Sequence, residues 1–189
     1  LTQQQLKQLE ELADRLAKEE STHRLRHFLS VFRRRSLPGF DLHADAFLKL
    51  TSHHDWHVRS WANRALSAIR HPKIRAQALA NLQSGQWLEG QLLPLISNLR
   101  PGDSALLAEH LRVDRNAYKH HQLIFDLVEI CEENPRPEMI ELMMFVYQTS
   151  PCTNCREAIY QVMLKESLVP DWIAAEWPFD VNSIDRLRN

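Results

Sequence analysis

Two cysteines with a spacing suited to thiol chemistry stand near the C-terminal end of the chain, as Cys152-x-x-Cys155. At a helix start such a pair can act as a redox couple, because the helix dipole and free amide hydrogens stabilise a thiolate. The pair can also form half of a zinc site. A redox role is usual in a strand–helix context that this sequence does not show, and zinc needs further ligands. Cys131 and the pair His120-His121 are nearby but have no familiar spacing, so the sequence favours a structural turn and helix cap.

A second group of potential ligands consists of His53, His54 and His57, on either side of Asp55. The group lacks the carboxylate spacing of a His-Glu-x-x-His zinc site, which favours capping or solvated histidines. The chain also lacks the Gly-x-Ser-x-Gly, Walker and dinucleotide-binding patterns. The sequence therefore predicts no catalytic residue, no metal, no cofactor and no enzyme activity.

Positive charge is concentrated in residues 21–80, which hold eleven Lys/Arg against three acids, a net charge of +8. Residues 126–189 hold five Lys/Arg against twelve acids, a net charge of −7. A basic surface can bind phosphates by counter-ion release, and Trp56 and Trp61 could stack on bases. Arginines at helix ends and tryptophans in a core are the structural alternatives. The candidate basic surface consists of Arg24, Arg26, Arg33, Arg34, Arg35, Arg64, Arg70, Lys73 and Arg75.

The elements that would position these residues are helices. Glycine occurs only four times in 189 residues, and apolar residues recur at helical spacing almost throughout. About eleven helices and no strand are predicted, which is an all-α fold. Asp55 should cap the fourth helix, Pro72 should open the fifth, and residues 88–99 should form a sixth that is kinked at Pro94. Asn154 and Glu157 should form a capping box for the tenth.

Short connections predict that consecutive helices are antiparallel neighbours. Pairs begin near His43, His71, Gly102 and Arg136, roughly 30 residues apart. A repeat of this length predicts an α-solenoid of about five antiparallel helical pairs, in which sequence order becomes spatial order.

The run Asp55-x-x-Val58-Arg59-x-x-Ala62-x-x-Ala65-Leu66 resembles the second helix of a HEAT repeat, and the resemblance is strongest over residues 41–112. In that family the Asp ends the turn between helices, the Arg joins a polar ladder between repeats, and small residues allow close helix contact. The repeat here resembles the short HEAT-like variants. HEAT-like DNA glycosylases place a Trp and an Asp around the lesion, but no carboxylate here follows Trp56 or Trp61 at that spacing, so no catalytic residue is carried over. The matching residues are Asp55, Val58, Arg59, Ala62, Ala65 and Leu66.

These features predict a non-catalytic scaffold that binds another protein or peptide on the concave face of a short HEAT-like solenoid. The alternative is a DNA- or RNA-binding module that uses the basic region 21–80. We expect one domain over 1–189, with an irregular tail over 178–189, and the start at Leu1 leaves room for a longer protein. No apolar stretch is long enough to span a membrane, and three cysteines do not make a disulfide framework, so we expect a cytoplasmic protein.

Overall fold

The computed structural model describes residues 2–30, 44–85 and 88–180. In these ranges the chain forms ten α-helices and no β-strand, so the all-α prediction is confirmed. None of these helices is both long enough and apolar enough to cross a bilayer. The chain divides into two compact units, residues 1–99 and residues 100–189. The single domain over 1–189 stays a prediction.

The N-terminal unit is built around a core to which every one of its described helices contributes. Leu25, Phe47, Leu66 and Ile74 are almost fully buried there. The second and third helices both pack against the fourth, and the fifth packs against a later 3₁₀ turn. The helices are α1 (Gln3–Lys18), α2 (Thr22–Leu29), α3 (Ala44–Leu50), α4 (Trp56–Leu66) and α5 (Pro72–Gln83), followed by the 3₁₀ turn Leu93–Leu95.

Two helix starts in this unit follow the local chemistry that the sequence indicated. Asp55 caps α4, because its side chain accepts a hydrogen bond from the Val58 N–H at 3.1 Å. Pro72 occupies the first turn of α5, where its missing N–H costs nothing. The α5 helix ends before Gly85, which has a left-handed φ of +66°. These boundaries are confirmed.

The predicted sixth helix over residues 88–99 is wrong. The segment consists of turns and the short 3₁₀ turn, with hydrogen bonds such as Leu95 N–H to the Leu92 carbonyl at 2.9 Å. Gly90 has a φ of +80°, and Pro94 has no N–H to donate to a helix. The Asn98 side chain holds the segment instead, donating to the Ile69 carbonyl at 2.7 Å. Apolar spacing alone could not reveal this, because the turns bury the same leucines.

The C-terminal unit also forms its own core. Leu127, Met143 and Ile159 are fully buried there. The helix that carries Leu127 packs against the two helices that carry Met143 and Ile159. The predicted Asn154–Glu157 capping box is wrong, since the helix begins at Thr153 with Cys152 at its N-cap position. The helices are α6 (Asp103–His110), α7 (Ala117–Glu133), α8 (Ile140–Thr149), α9 (Thr153–Lys165) and α10 (Asp171–Glu176), with 3₁₀ turns at Pro137–Met139 and Trp177–Phe179.

The last 3₁₀ turn, Trp177–Phe179, overlaps the start of the segment 178–189, for which the sequence predicted irregular structure. Pro178 belongs to the 3₁₀ turn, and Asp180 is buried just after it. Residues 181–189 lie outside the described ranges. An irregular tail over residues 181–189 stays a prediction.

Candidate functional site

The residues that resemble part of a HEAT repeat lie at the start of α4, where Asp55 and Arg59 belong to a polar cluster. Arg26 on α2 binds both carboxylate oxygens of Asp55, with its Nε at 3.0 Å from Oδ1. This hydrogen bonding, together with the Val58 N–H, holds the pKa of Asp55 well below its usual range. Arg59 donates to the carbonyls of His53 and His54 at 2.8 Å each, and so secures the turn before α4. These charged groups stabilise the turn before α4. The buried face of α4 is formed by Val58, Ala62, Ala65 and Leu66.

The basic residues of the N-terminal unit are in part paired with acids. Arg24 lies 3.0 Å from Glu19, and Lys73 lies 2.9 Å from Asp45. Arg26 is bound to Asp55 as described above. Such pairs lower the positive charge that is available to an outside phosphate. Of the others, Arg70 is exposed, Arg64 and Arg75 lie half-buried on α4 and α5, and Arg33, Arg34 and Arg35 lie outside the described residues.

The histidines around the α4 cap take part in local packing. The His53 Nδ1 accepts from the Asp55 N–H at 3.0 Å, and burial lowers the pKa of His53. The His57 ring lies 3.7 Å from the Trp56 ring and 5.5 Å from the Trp61 ring, centroid to centroid. Trp56 is half exposed, whereas Trp61 packs against the core. The capping interpretation of His53 is thus supported by its bond to Asp55.

A groove runs between α7 and α9 in the C-terminal unit, and its volume is about 480 Å³. Its apolar lining comes from Pro135, Ala158 and Val162. Its charged lining comes from Glu132, Glu157 and Lys165, and two amides, Asn154 and Gln161, complete it. The sequence indicated none of this, because the groove depends on how two helices separated by α8 lie beside each other.

A second feature lies where α7 and α9 begin. Three potential metal ligands converge there: His121 from α7, and Cys152 and Cys155 from the start of α9. Their donor atoms all lie within 4.8 Å of one another, and the Cys155 Sγ is 3.6 Å from the His121 Nε2. Cys155 is buried, and burial, followed by hydrogen bonding with Cys152, raises the pKa of its thiol to about 12. We call these three residues the Cys₂His cluster.

The loop that carries Cys152 is held from both sides. The Ser150 hydroxyl accepts from the Cys152 N–H at 3.2 Å and donates to the Cys152 carbonyl at 3.0 Å. Just beyond the cluster, Arg156 binds Asp180 at 2.9 Å and Glu176 at 3.1 Å. The first turn of α9 is therefore anchored to α10 and to the turn after it.

His121 is the cluster member that the sequence could not assign. Its neighbour His120 is buried, and its Nε2 lies 2.9 Å from the Thr149 carbonyl, which ties α7 to the end of α8. Two short connections make α7 and α9 parallel neighbours, so their first turns lie at the same end. That topology brings His121 to Cys152 across 31 positions of sequence. Cys131, the other candidate, is fully buried further along α7, and its thiol pKa is raised by burial.

The Cys₂His cluster offers soft metal ligands. Two thiol sulfurs and one imidazole nitrogen suit a thiophilic ion such as Zn²⁺, or a reversible pair of thiols. The groove, by contrast, is lined by three apolar side chains, two carboxylates, two amides and the ammonium group of Lys165, and its carboxylates suit a cationic side chain. No family model, no curated protein and no solved structure matches this chain.

Proposed function

We propose that this chain is a HEAT-like helical module that binds a basic segment of another protein in the groove between α7 and α9. The HEAT-like architecture is supported by the α4 start, where Asp55 ends the turn between helices. Arg59 binds the carbonyls of that same turn, which is not the ladder between repeats that the resemblance implies. Consecutive helices such as α3 and α4, or α8 and α9, also pack together. An α-solenoid of about five antiparallel pairs is part of this proposal.

The shape of the groove supports the binding of a peptide segment. A volume of about 480 Å³ lies within the range of ligand-binding clefts, about 300–1,000 Å³. Ala158 and Val162 line the groove one turn apart on α9. One or two apolar side chains of a partner would bury surface there, at about 25 cal/mol per Å².

The observation that carries the proposal is the negative charge of Glu132 at this groove. Glu132 is exposed, and its pKa is raised by partial desolvation of the carboxylate and by the nearby charges of Glu129 and Glu133. It also stands in the last turn of α7, where the helix dipole disfavours an anion. A lysine or arginine of a partner would relieve both effects.

The wider charge of the unit agrees with a basic partner. Residues 100–180 hold seven Lys/Arg and fourteen Asp/Glu, a net charge of −7. Such a field attracts cationic segments and speeds their association, and it repels phosphates. In the N-terminal unit, Arg24, Arg26 and Lys73 are paired with carboxylates. A protein partner is therefore favoured over a nucleic acid, and nucleic-acid binding by region 21–80 stays a prediction.

The test is a fluorescence-anisotropy titration of the full chain with a labelled peptide in which lysine alternates with valine. We expect binding that weakens with salt, and about tenfold weaker binding in Glu132→Lys, because an attractive charge becomes a repulsive one. The matched control is Glu141→Lys, an exposed residue of α8 that does not line the groove. It changes the net charge by the same amount and should leave binding within about twofold of the parent.

Three results would overturn this proposal. The first is no binding of the lysine–valine peptide at low salt. The second is an equal loss in Glu132→Lys and Glu141→Lys, which would assign binding to net charge alone. A glutamate–valine peptide of the same length serves as the negative probe, and its binding with equal affinity would likewise exclude a site for basic segments.

A further inference from the structure

We propose that His121, Cys152 and Cys155 form a binding site for a Zn²⁺ ion, which the two thiolates and the imidazole Nε2 ligate together. This site is separate from the groove, and it does not rest on the proposed peptide binding. In the parts of the chain that the structure describes, these three residues form the one group of three or more potential metal ligands.

The distances suit a tetrahedral ion. With Zn–S bonds of about 2.3 Å and Zn–N bonds of about 2.0 Å, a sulfur and a nitrogen ligand lie about 3.5 Å apart, and two sulfurs about 3.8 Å apart. The Cys155 Sγ and the His121 Nε2 are already 3.6 Å apart. The widest separation in the cluster is within 4.8 Å, so a shift of about 1 Å in a side chain completes the three-ligand geometry.

Hydrogen bonds hold the backbone on both sides of the cluster. Cys152 holds the N-cap position of α9 and Cys155 lies in its first turn, so the start of one helix positions both sulfurs. Ser150 fixes the loop before Cys152 through two hydrogen bonds. On the other side, the bond from His120 to Thr149 holds the first turn of α7 against the same loop.

The imidazole is what favours a metal over the two alternatives for a Cys-x-x-Cys turn. A purely structural cap needs no second helix to point a nitrogen at the sulfur. A redox pair is usually found in a strand–helix context, and the described residues contain no strand. Three protein ligands leave one coordination position, which water would fill, as in zinc sites that remain open to small ligands.

The experiment uses the full chain, reduced and stripped of metal by a chelator, and Co²⁺ as a spectroscopic probe for Zn²⁺. We expect one equivalent of Co²⁺ to produce thiolate-to-cobalt charge-transfer absorption and the d–d bands of a tetrahedral ion. Added Zn²⁺ should abolish both signals. Zn²⁺ should also raise the melting temperature of the stripped protein, because a ligand that binds the folded state stabilises it.

Cys152→Ser is the cleanest variant, because serine is a preferred N-cap residue and should preserve α9 while removing a ligand. We expect it to weaken Co²⁺ binding by about a hundredfold or more. Loss of a residue that only orients a metal ligand costs up to about a hundredfold in affinity, and loss of the ligand itself should cost at least as much. His121→Gln should do the same. The matched controls are Cys131→Ala and His110→Gln, which remove a thiol and an imidazole outside the cluster and should keep the spectrum.

Each failure of this test has a clear meaning. Tight Co²⁺ binding without charge-transfer absorption would show that the thiols are not ligands and would overturn the proposal. An unchanged spectrum in Cys152→Ser, or an equal loss in Cys131→Ala, would overturn it as well. A loss of peptide binding in Glu132→Lys leaves this result untouched, because the two sites are read by different signals.

Discussion

Asp55 is predicted to stabilise the start of α4 in two separable ways. Its Oδ1 accepts from the Val58 N–H at 3.1 Å, which satisfies one of the free amides of the helix start. The same carboxylate is bound by Arg26 through both oxygens. Asp55→Ala removes both interactions. Asp55→Asn keeps a good N-cap residue and removes the charge that Arg26 binds.

The magnitudes follow from the type and exposure of each interaction. Loss of an N-cap hydrogen bond costs about 1 kcal/mol. The Arg26 side chain is 43% exposed and the Asp55 side chain 11%, so the released arginine can return to water. The ion pair therefore contributes about 0.5 kcal/mol, as for surface pairs, and not the several kcal/mol of a buried one. The expected losses are about 1.5 kcal/mol for Asp55→Ala and about 0.5 kcal/mol for Asp55→Asn.

Hydrogen exchange of the α4 amides, read by mass spectrometry, measures these losses where they arise. Faster exchange of about tenfold is expected in Asp55→Ala, and of about twofold in Asp55→Asn, since 1.4 kcal/mol corresponds to a factor of ten. The α9 peptide of the same molecule is the internal control, because it belongs to the other compact unit. Equal exchange in the two variants would refute the capping argument, and parental exchange in both would refute the role of Asp55 altogether.

Two further predictions concern the N-terminal unit. Because Arg26 holds the pKa of Asp55 below its unfolded value of about 3.9, the stabilisation by Asp55 is complete above about pH 5 and is lost as the pH falls through the lower folded value. Urea unfolding followed by tryptophan fluorescence should show this loss in the parent, and a flatter acid profile in Asp55→Asn; identical profiles would contradict it. Gly90→Ala should cost about 1–2 kcal/mol in the same assay, because its φ of +80° strains any side chain. An added Cβ would meet Ser60 and Asn63 only at ordinary contact distances, so Gly90→Asn, which tolerates this conformation better, should cost less; equal costs would point to packing instead.

Local chemistry made much of the helical fold predictable. The Asp55 cap and the Pro72 start are decided within one turn of chain, and both were found from the sequence. The segment 88–99 failed because buried turns and a buried helix place leucines at similar spacing. The hydrogen bond from Asn98 to the Ile69 carbonyl spans 29 positions, and no local sequence pattern predicts it. The same holds for Cys152, which takes the N-cap in place of Asn154 because Ser150 closes the turn before it.

The candidate sites were less predictable than the helices, and the reason is topological. Charge counting indicated a basic region, but it could not show that Arg26 and Lys73 meet carboxylates 29 and 28 positions away. The spacing Cys152-x-x-Cys155 indicated a possible half-site and left its partner open. The partner His121 comes from the helix two before, since helices n and n + 2 of an antiparallel series run parallel and start at the same end. In helical proteins of this kind, a Cys-x-x-Cys at a helix start should therefore be compared with the first turns of the helix two positions earlier. A single histidine in those turns, which no local sequence pattern marks as a ligand, is the candidate for the third ligand.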